Sequence, residues 1–388
     1  MKILHTSDWH VGKVLKGQSR AEEQIAVLFE IVKIAEAEQP DLVIVAGDLF
    51  DTATPGADAK KLVVRALSAL RRNADAVVVI AGNHDHAAEI DALRPWADGA
   101  GVTLRGAIGP ATDHLITGTT RAGEPWRLAA LPFVSQRYAV RASEMFELSA
   151  ADASATYADH VARLIAALTE SFADGTATVN LVAGHLTVVG GKLGGGERDA
   201  HTIEAYAVPS TIFPAATHYV ALGHLHRRQQ VLAACPVHYC GSPLAVDFGE
   251  EENLPGVNIV EVTARKAARV RSVPVTAAIP LRTVRGTVDE LRTMTVPEDA
   301  WLRVYVREAP RAGLREDVQQ LLPRALEVRI DPTVLPELDP SHKVETRAGR
   351  SPRDLFADYL TAKGIADPAV GDLFNRLYDE VSTSGGAH

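Results

Sequence analysis

Four apolar runs in this sequence stop in the same way. DLVIVAGD (41–48), AVVVIAGN (76–83), TVNLVAGH (178–185) and THYVALGH (217–224) each end in a glycine followed by a carboxylate, a carboxamide or an imidazole. Such near-continuous apolar stretches read as strands buried on both faces, and the glycines fit tight turns that bring backbone close to whatever lies there. A fifth strand, KILHTS (2–7), runs into Asp8 and His10. Helical spacing over 19–38, with Ser19 as its N-cap, and over 57–73 alternates with the first three strands. That rhythm predicts a layered α/β domain. Further strands are expected at 126–131 and 256–262, a long helix at 155–172, and a mobile Gly-rich loop at 189–201.

Beyond residue 275 the texture changes. The segment 276–331 reads as a small α/β module: strand, short helix, strand, helix, strand. Residues 332–350, rich in Pro and charge, read as a linker. Two helical segments within 351–384 then carry apolar stripes, Leu355, Phe356, Tyr359 and Leu360 on one and Leu373, Phe374, Leu377 and Tyr378 on the other. Helices this short must bury such faces, against each other or against a partner.

Composition narrows the class. No apolar run reaches the roughly 18 residues that span a bilayer, and polar residues from His5 onward are too early for a signal peptide. Cys235 and Cys240 are the only cysteines. With no second CxxC or HxxxH nearby they read as free thiols in or beside a strand, and a reducing cytosol is the expected setting. The formal net charge of −9 argues mildly against nucleic acid. Bound cations or a partner subunit could reverse that locally.

The chemistry is concentrated at the strand ends: Asp8 and His10, Asp48 and Asp51, Asn83 with His84 and Asp85, His185, and His224 with His226. Singly these clusters are weak. GDLFD could be an acidic helix start, GNHD a turn, and GHLH a surface strand. Jointly they point to one crevice, because ligands of α/β sheets bind at the carboxyl ends of strands. Imidazoles, carboxylates and a carboxamide suit manganese, iron or zinc. Seven or so donors exceed the needs of one ion with an open position. Two ions sharing a carboxylate fit better, and ions about 3.5–4 Å apart can activate water and clamp a phosphoryl centre.

The ordered set DxH, GDxxD, GNHD, GH, GHxH resembles the calcineurin-like metallophosphoesterase superfamily, whose fold is a β-sandwich flanked by helices. The longer spellings ILHTSDWHVGK, VAGDLFDTATP, GHLTVVG, ALGHLHR and YCGSPLAVDFGE resemble the SbcD family of bacterial nuclease subunits within it. The resemblance covers residues 1–275 throughout and the remainder more in layout than in motif. It implies that Asp8, His10 and His226 hold one metal, that Asn83, His185 and His224 hold the other, and that Asp48 bridges. It further implies manganese, and His84 acting on the scissile phosphate. Residues 276–331 would be a DNA-orienting capping domain. Residues 351–384 would dock the SMC-like ATPase partner SbcC, in a heterotetramer with a nuclease homodimer at the nucleoid. Asp51 departs from archaeal and eukaryotic relatives, which usually carry His there. It is expected to accept a hydrogen bond from His84 and raise its pKa. Asp85 is expected to hold its turn through backbone amides, and His86 to be a loop or N-cap residue. Arg20, Arg227 and Arg228 could touch phosphate or simply be solvated. The alternatives are a small-molecule phosphodiesterase or nucleotidase of the same superfamily and a metal-free scaffold, against which the complete donor set argues.

Overall fold

The computed structural model describes residues 1–135, 157–173, 177–197, 206–297, 299–334, 356–357, 359–361 and 368–384. Contacts divide the chain into Met1–Val334 and Leu335–His388.

Two six-stranded sheets form the centre of the first unit. One runs in the order Lys266–Pro274, Gly256–Thr263, Lys2–Thr6, Leu42–Ala46, Ala76–Ile80, Val102–Arg105. Its last four strands are mutually parallel, and Gly256–Thr263 pairs antiparallel to Lys2–Thr6. The other runs Gln229–Val231, Val237–Tyr239, Tyr219–Gly223, Val179–His185, Pro125–Leu131, Leu115–Thr119. Alternation along each strand builds three cores. Leu42, Ile44 and Ala46 face the second sheet, meeting Leu128, Ala130, Leu181 and Ala183. Val43 and Val45 face outward beneath the helices Ala21–Glu38 and Ala57–Asn73. Val182, Val220 and Leu222 lie under the helix Tyr157–Thr169, with Leu164 and Ile165. The result is a helix–sheet–sheet–helix sandwich, and the central strands of both sheets are buried on both faces, as the continuous apolar runs require.

The small module follows with three parallel strands, Leu281–Gly286, Trp301–Val306 and Ala325–Ile330. Leu302, Val304 and Val306 point into its own core beside Leu291 and Val318. Its first helix, Val288–Thr293, opens on a capping box. Thr287 Oγ1 accepts the Glu290 N–H and the Glu290 carboxylate accepts the Thr287 N–H, satisfying donors that a helix start leaves open.

In the second unit, Phe356 stacks on Phe374 with centroids 4.0 Å apart, and Tyr378 continues the stack. The two apolar stripes therefore meet each other, while Tyr359, Leu373 and Leu377 stay about half exposed. Leu355 and the linker beyond Val334 lie outside the described residues.

Two sequence expectations change. The helix N-cap is Arg20, not Ser19, which sits in a short strand. Arg20 is also fully buried and not a surface residue: it forks onto Glu23 at 2.6 and 2.7 Å. A guanidinium so buried and paired is a structural ion and is not exposed to DNA. Arg227, by contrast, is exposed beside His226.

Candidate metal centre

Asp8, Asp48 and Asn83 lie just past the carboxyl ends of three parallel strands of one sheet, and His185 and His224 end two parallel strands of the other. Bringing these ends together bends the backbone. Asp8, His10, Asp48 and His224 all hold positive φ, at 53°, 45°, 51° and 98°. For residues with a Cβ this costs about 1–3 kcal/mol each, strain that packing elsewhere must sustain. Two glycines make the approach possible. A Cβ at Gly47 would fall 2.1 Å from His185 Nδ1, and one at Gly82 would fall 2.1 Å from Asp48 Oδ1.

The donors collect around Asp48. Its Oδ2 lies 3.4 Å from His185 Nε2 and 3.8 Å from His10 Nε2, so this carboxylate stands between two groups. On one side, Asp8, His10, Asp48 and His226, all buried, each offer a ligand atom within 4.8 Å of the others. On the other, Asn83 Oδ1 accepts from His185 Nε2 at 2.9 Å and from His224 Nδ1 at 2.7 Å.

The second layer fixes tautomers. His185 Nδ1–H donates to the Ala46 carbonyl (2.8 Å) and His226 Nδ1–H to Glu250 (2.5 Å), so each ring presents Nε2 to the centre. Ser7 Oγ and the His224 N–H hold the Asp8 carboxylate, and Gln24 binds the His10 carbonyl. Glu197 gathers the amides of Gly194, Gly195, Gly196 and His226, tying the glycine-rich loop to the site up to residue 197. Residues 198–201 of that loop lie outside the described residues.

Electrostatics follow from the geometry. Burial opposes charge on every group here, yet the surrounding imidazoles of His185, His10 and His84 hold the Asp48 carboxyl well below the usual range. Against the same burial, Asp48 lifts His185 to about 9 and Glu250 lifts His226 to about 10. His10, dominated by burial, falls to about 4. Two protons thus sit among carboxylates in the metal-free protein, while His10 Nδ1 is buried without a hydrogen-bond partner. A divalent cation can replace those protons, and the N/O donor set fits a hard-to-borderline ion.

Asp85 behaves as expected from sequence: its carboxylate accepts the amides of Leu49, Phe50 and Gly82. His86 is an exposed N-cap whose side chain accepts from the Glu89 N–H. Asp51 differs. His84 Nδ1 lies 2.8 Å from the Asp51 backbone carbonyl, whereas the Asp51 carboxylate lies 3.2 Å from Lys13 Nζ and 3.6 Å from His10 Nδ1. The acceptor that orients His84 is the peptide group, because the chain turns back at Asp51 and presents its carbonyl to the ring. Glu250 and Glu197 are further functional residues that the sequence motifs do not mark. Both act through local loop geometry with no spacing signal of their own, although Glu250 ends the YCGSPLAVDFGE segment.

A sandwich with nitrogen and oxygen donors at these strand ends defines a metallophosphoesterase, and residues 1–130 match the calcineurin-like phosphoesterase family. Residues 278–364 match a family described as the type 5 capsule protein repressor C-terminal domain. The chain is 35% identical over 331 residues to the SbcD subunit of the nuclease SbcCD from Bacillus subtilis (strain 168), covering 81% of each. It is 29% identical over 388 residues to SbcD of Escherichia coli (strain K12), covering 97% of this chain and 92% of the other. With SbcD of Rhodobacter capsulatus it shares 35% over 295 residues, 72% and 71% of the two chains. The chain belongs to the SbcD family of SbcCD nuclease subunits and is a metal-dependent hydrolase of that type.

Proposed function

We propose that this chain is the nuclease subunit of an ATP-dependent complex with SbcC, hydrolysing DNA phosphodiesters as a double-strand exonuclease and a single-strand or hairpin endonuclease in repair, replication and recombination. Its place would be the cytoplasm, at the nucleoid, as a homodimer within a heterotetramer. Among the described residues, no helix is long and apolar enough to cross a membrane. The observation that carries the reading is the convergence of six donor residues around a single carboxylate, Asp48.

In this reading Asp8, His10 and His226 would hold one Mn2+, Asn83, His185 and His224 would hold a second, and Asp48 would serve both. When bound, the ions would supply Lewis acidity toward the phosphoryl oxygens and a water nucleophile near neutral pH. The chain's own residues do the rest. A carbonyl only accepts, so the hydrogen on His84 Nδ1 is fixed by Asp51 and Nε2 is the atom that titrates. His84 therefore donates from Nε2 to the leaving oxygen, or stabilises charge developing on it. Its N–H binds Asp48 Oδ1 at 2.8 Å, which sets ring and carboxylate in one frame. Exposed Arg227, next to a ligand, suits a DNA phosphate. The half-exposed side chains Tyr359, Leu373 and Leu377 suit helix-in-groove docking on SbcC.

The test is Mn2+-dependent turnover of linear duplex and hairpin DNA, with and without SbcC and ATP, beside nucleotides and bis-p-nitrophenyl phosphate. Cutting of DNA supports the reading. Turnover of the small esters alone moves the protein to small-molecule phosphoester chemistry.

A further inference from the structure

The segment Gly241–Glu251, of which only Glu250 has entered the account so far, touches both the metal centre and the small module. At its start, Ser242 Oγ donates to the carbonyl of Asp8 at 2.8 Å. At its end lies a short 3-10 turn, Phe248–Glu250. There Glu250, 1% exposed, divides its carboxylate: Oε1 accepts His226 Nδ1–H and Oε2 accepts the Val246 N–H at 2.9 Å. Two residues earlier, Phe248 points the other way. It is buried in a cluster with Leu15, Ala245 and Leu281 of the module's first strand, with Trp301 and Leu326 packed against it. The Arg303 guanidinium sits 5.2 Å above its ring. Arg282, on the same strand as Leu281, donates to the Glu251 carbonyl at 3.1 Å.

The rest of this contact is a buried polar network. Buried Arg20 donates to the Ala245 carbonyl at 2.7 Å and to the Ile279 carbonyl at 3.4 Å. Its partner Glu23 accepts the Ile279 N–H at 3.1 Å and the Trp301 indole N–H at 2.9 Å. One buried ion pair thus binds the segment, the entry to the module and the module's central strand. Such a paired charge resists separation, since breaking it strands an ion in the interior.

We infer that Gly241–Glu251 is a strap that transmits the position of the 276–331 module to one metal site, with Glu250 as the positioning residue for His226 and Phe248 as its anchor in the module. This rests on the two-ion reading above. The strap reaches Asp8 and His226, both assigned to the same ion. A displacement of the module would therefore change one ion's affinity and leave the other's.

The experiment is Mn2+ titration of the full-length protein by calorimetry, with far-UV circular dichroism and urea midpoints to confirm folding. The parent should take up two ions. Glu250→Gln should weaken one of them by about 10–100-fold, the usual cost of losing a group that orients a metal-bound histidine, and leave the other unchanged. Phe248→Ala, or Phe248→Leu should the alanine variant unfold, should weaken the same ion. Arg307→Ala, at an exposed ion pair of the module, should change neither. If Phe248→Leu is folded and binds both ions as the parent does, the strap is overturned while the two-ion reading stands. If Glu250→Gln weakens both ions alike, selective positioning is wrong. A parent that binds fewer than two ions contradicts the two-ion reading itself, and this inference with it.

Discussion

Replacing Asp85 by alanine should unfold the protein far more easily than any effect on a loop residue would suggest. Its carboxylate is the common acceptor for three amides, those of Leu49 (3.1 Å), Phe50 (3.0 Å) and Gly82 (2.9 Å). These join the loop that carries Asp48 to the loop that carries Asn83. Leu49 and Phe50 are 1% and 2% exposed, so water does not readily replace the lost acceptor. A buried donor left without a partner costs about 1–3 kcal/mol. Three of them, partly relieved by water entering the emptied volume, give about 3–5 kcal/mol. Asn retains one acceptor oxygen and places an NH2 against at least one amide donor, so Asp85→Asn should lose about 1–3 kcal/mol. Burial and the charge of Asp48 push the Asp85 carboxyl up to about 7, so ionising it opposes folding and the loss on Asp85→Ala should be larger at pH 6 than at pH 8. Urea unfolding of the metal-free proteins reads the difference as a shift in midpoint at constant slope. An Asp85→Ala midpoint within about 0.5 kcal/mol of the parent, the range of ordinary surface changes, would refute the clamp.

Three further outcomes are expected. His185 and His226 have folded pKa values near 9 and 10, above the usual 6.5, so the stability they contribute is complete below about pH 6.5 and is lost as pH rises toward 9–10. The melting temperature of the metal-free protein should fall over that window, and saturating Mn2+, which replaces the protons, should flatten or reverse the slope. His84→Ala keeps the backbone N–H that holds Asp48. It should lose about 10²–10⁴-fold in turnover with Mn2+ uptake by calorimetry unchanged; weakened uptake would recast His84 as a structural support. Asp51→Asn keeps the carbonyl that accepts from His84, so the limb of the pH–rate profile due to His84 should stay where it is, and a displacement would show that the carboxylate matters after all.

Much of this centre is legible in the sequence because burial on both faces leaves a plain signature. Leu42–Ala46 and Ala76–Ile80 are unbroken apolar runs, and the polar residues that follow them fall at the shared end of the sheets. Strands on the edges are harder to see. Lys266–Pro274 is mostly exposed and carries Lys and Arg, so it lacks the pattern that marks a buried strand. Val102–Arg105 is four residues long. Arg20 looks like a surface residue from its neighbours, and only its pairing with Glu23 and contacts more than 200 positions away bury it. For Asp51 the sequence correctly points to the residue and misassigns the atom, since choosing between a carboxylate and a carbonyl depends on how the chain turns. Glu250 is hidden for the same reason, 24 residues from the histidine it orients.

The central claim is that two cations share Asp48. Crystals of the full-length protein soaked in Mn2+, with anomalous data collected at the manganese edge, test it most directly. The account predicts two peaks, one enclosed by Asp8, His10 and His226 and one by Asn83, His185 and His224, with Asp48 between them. A single peak, or a pair that leaves Asp48 outside, would contradict it.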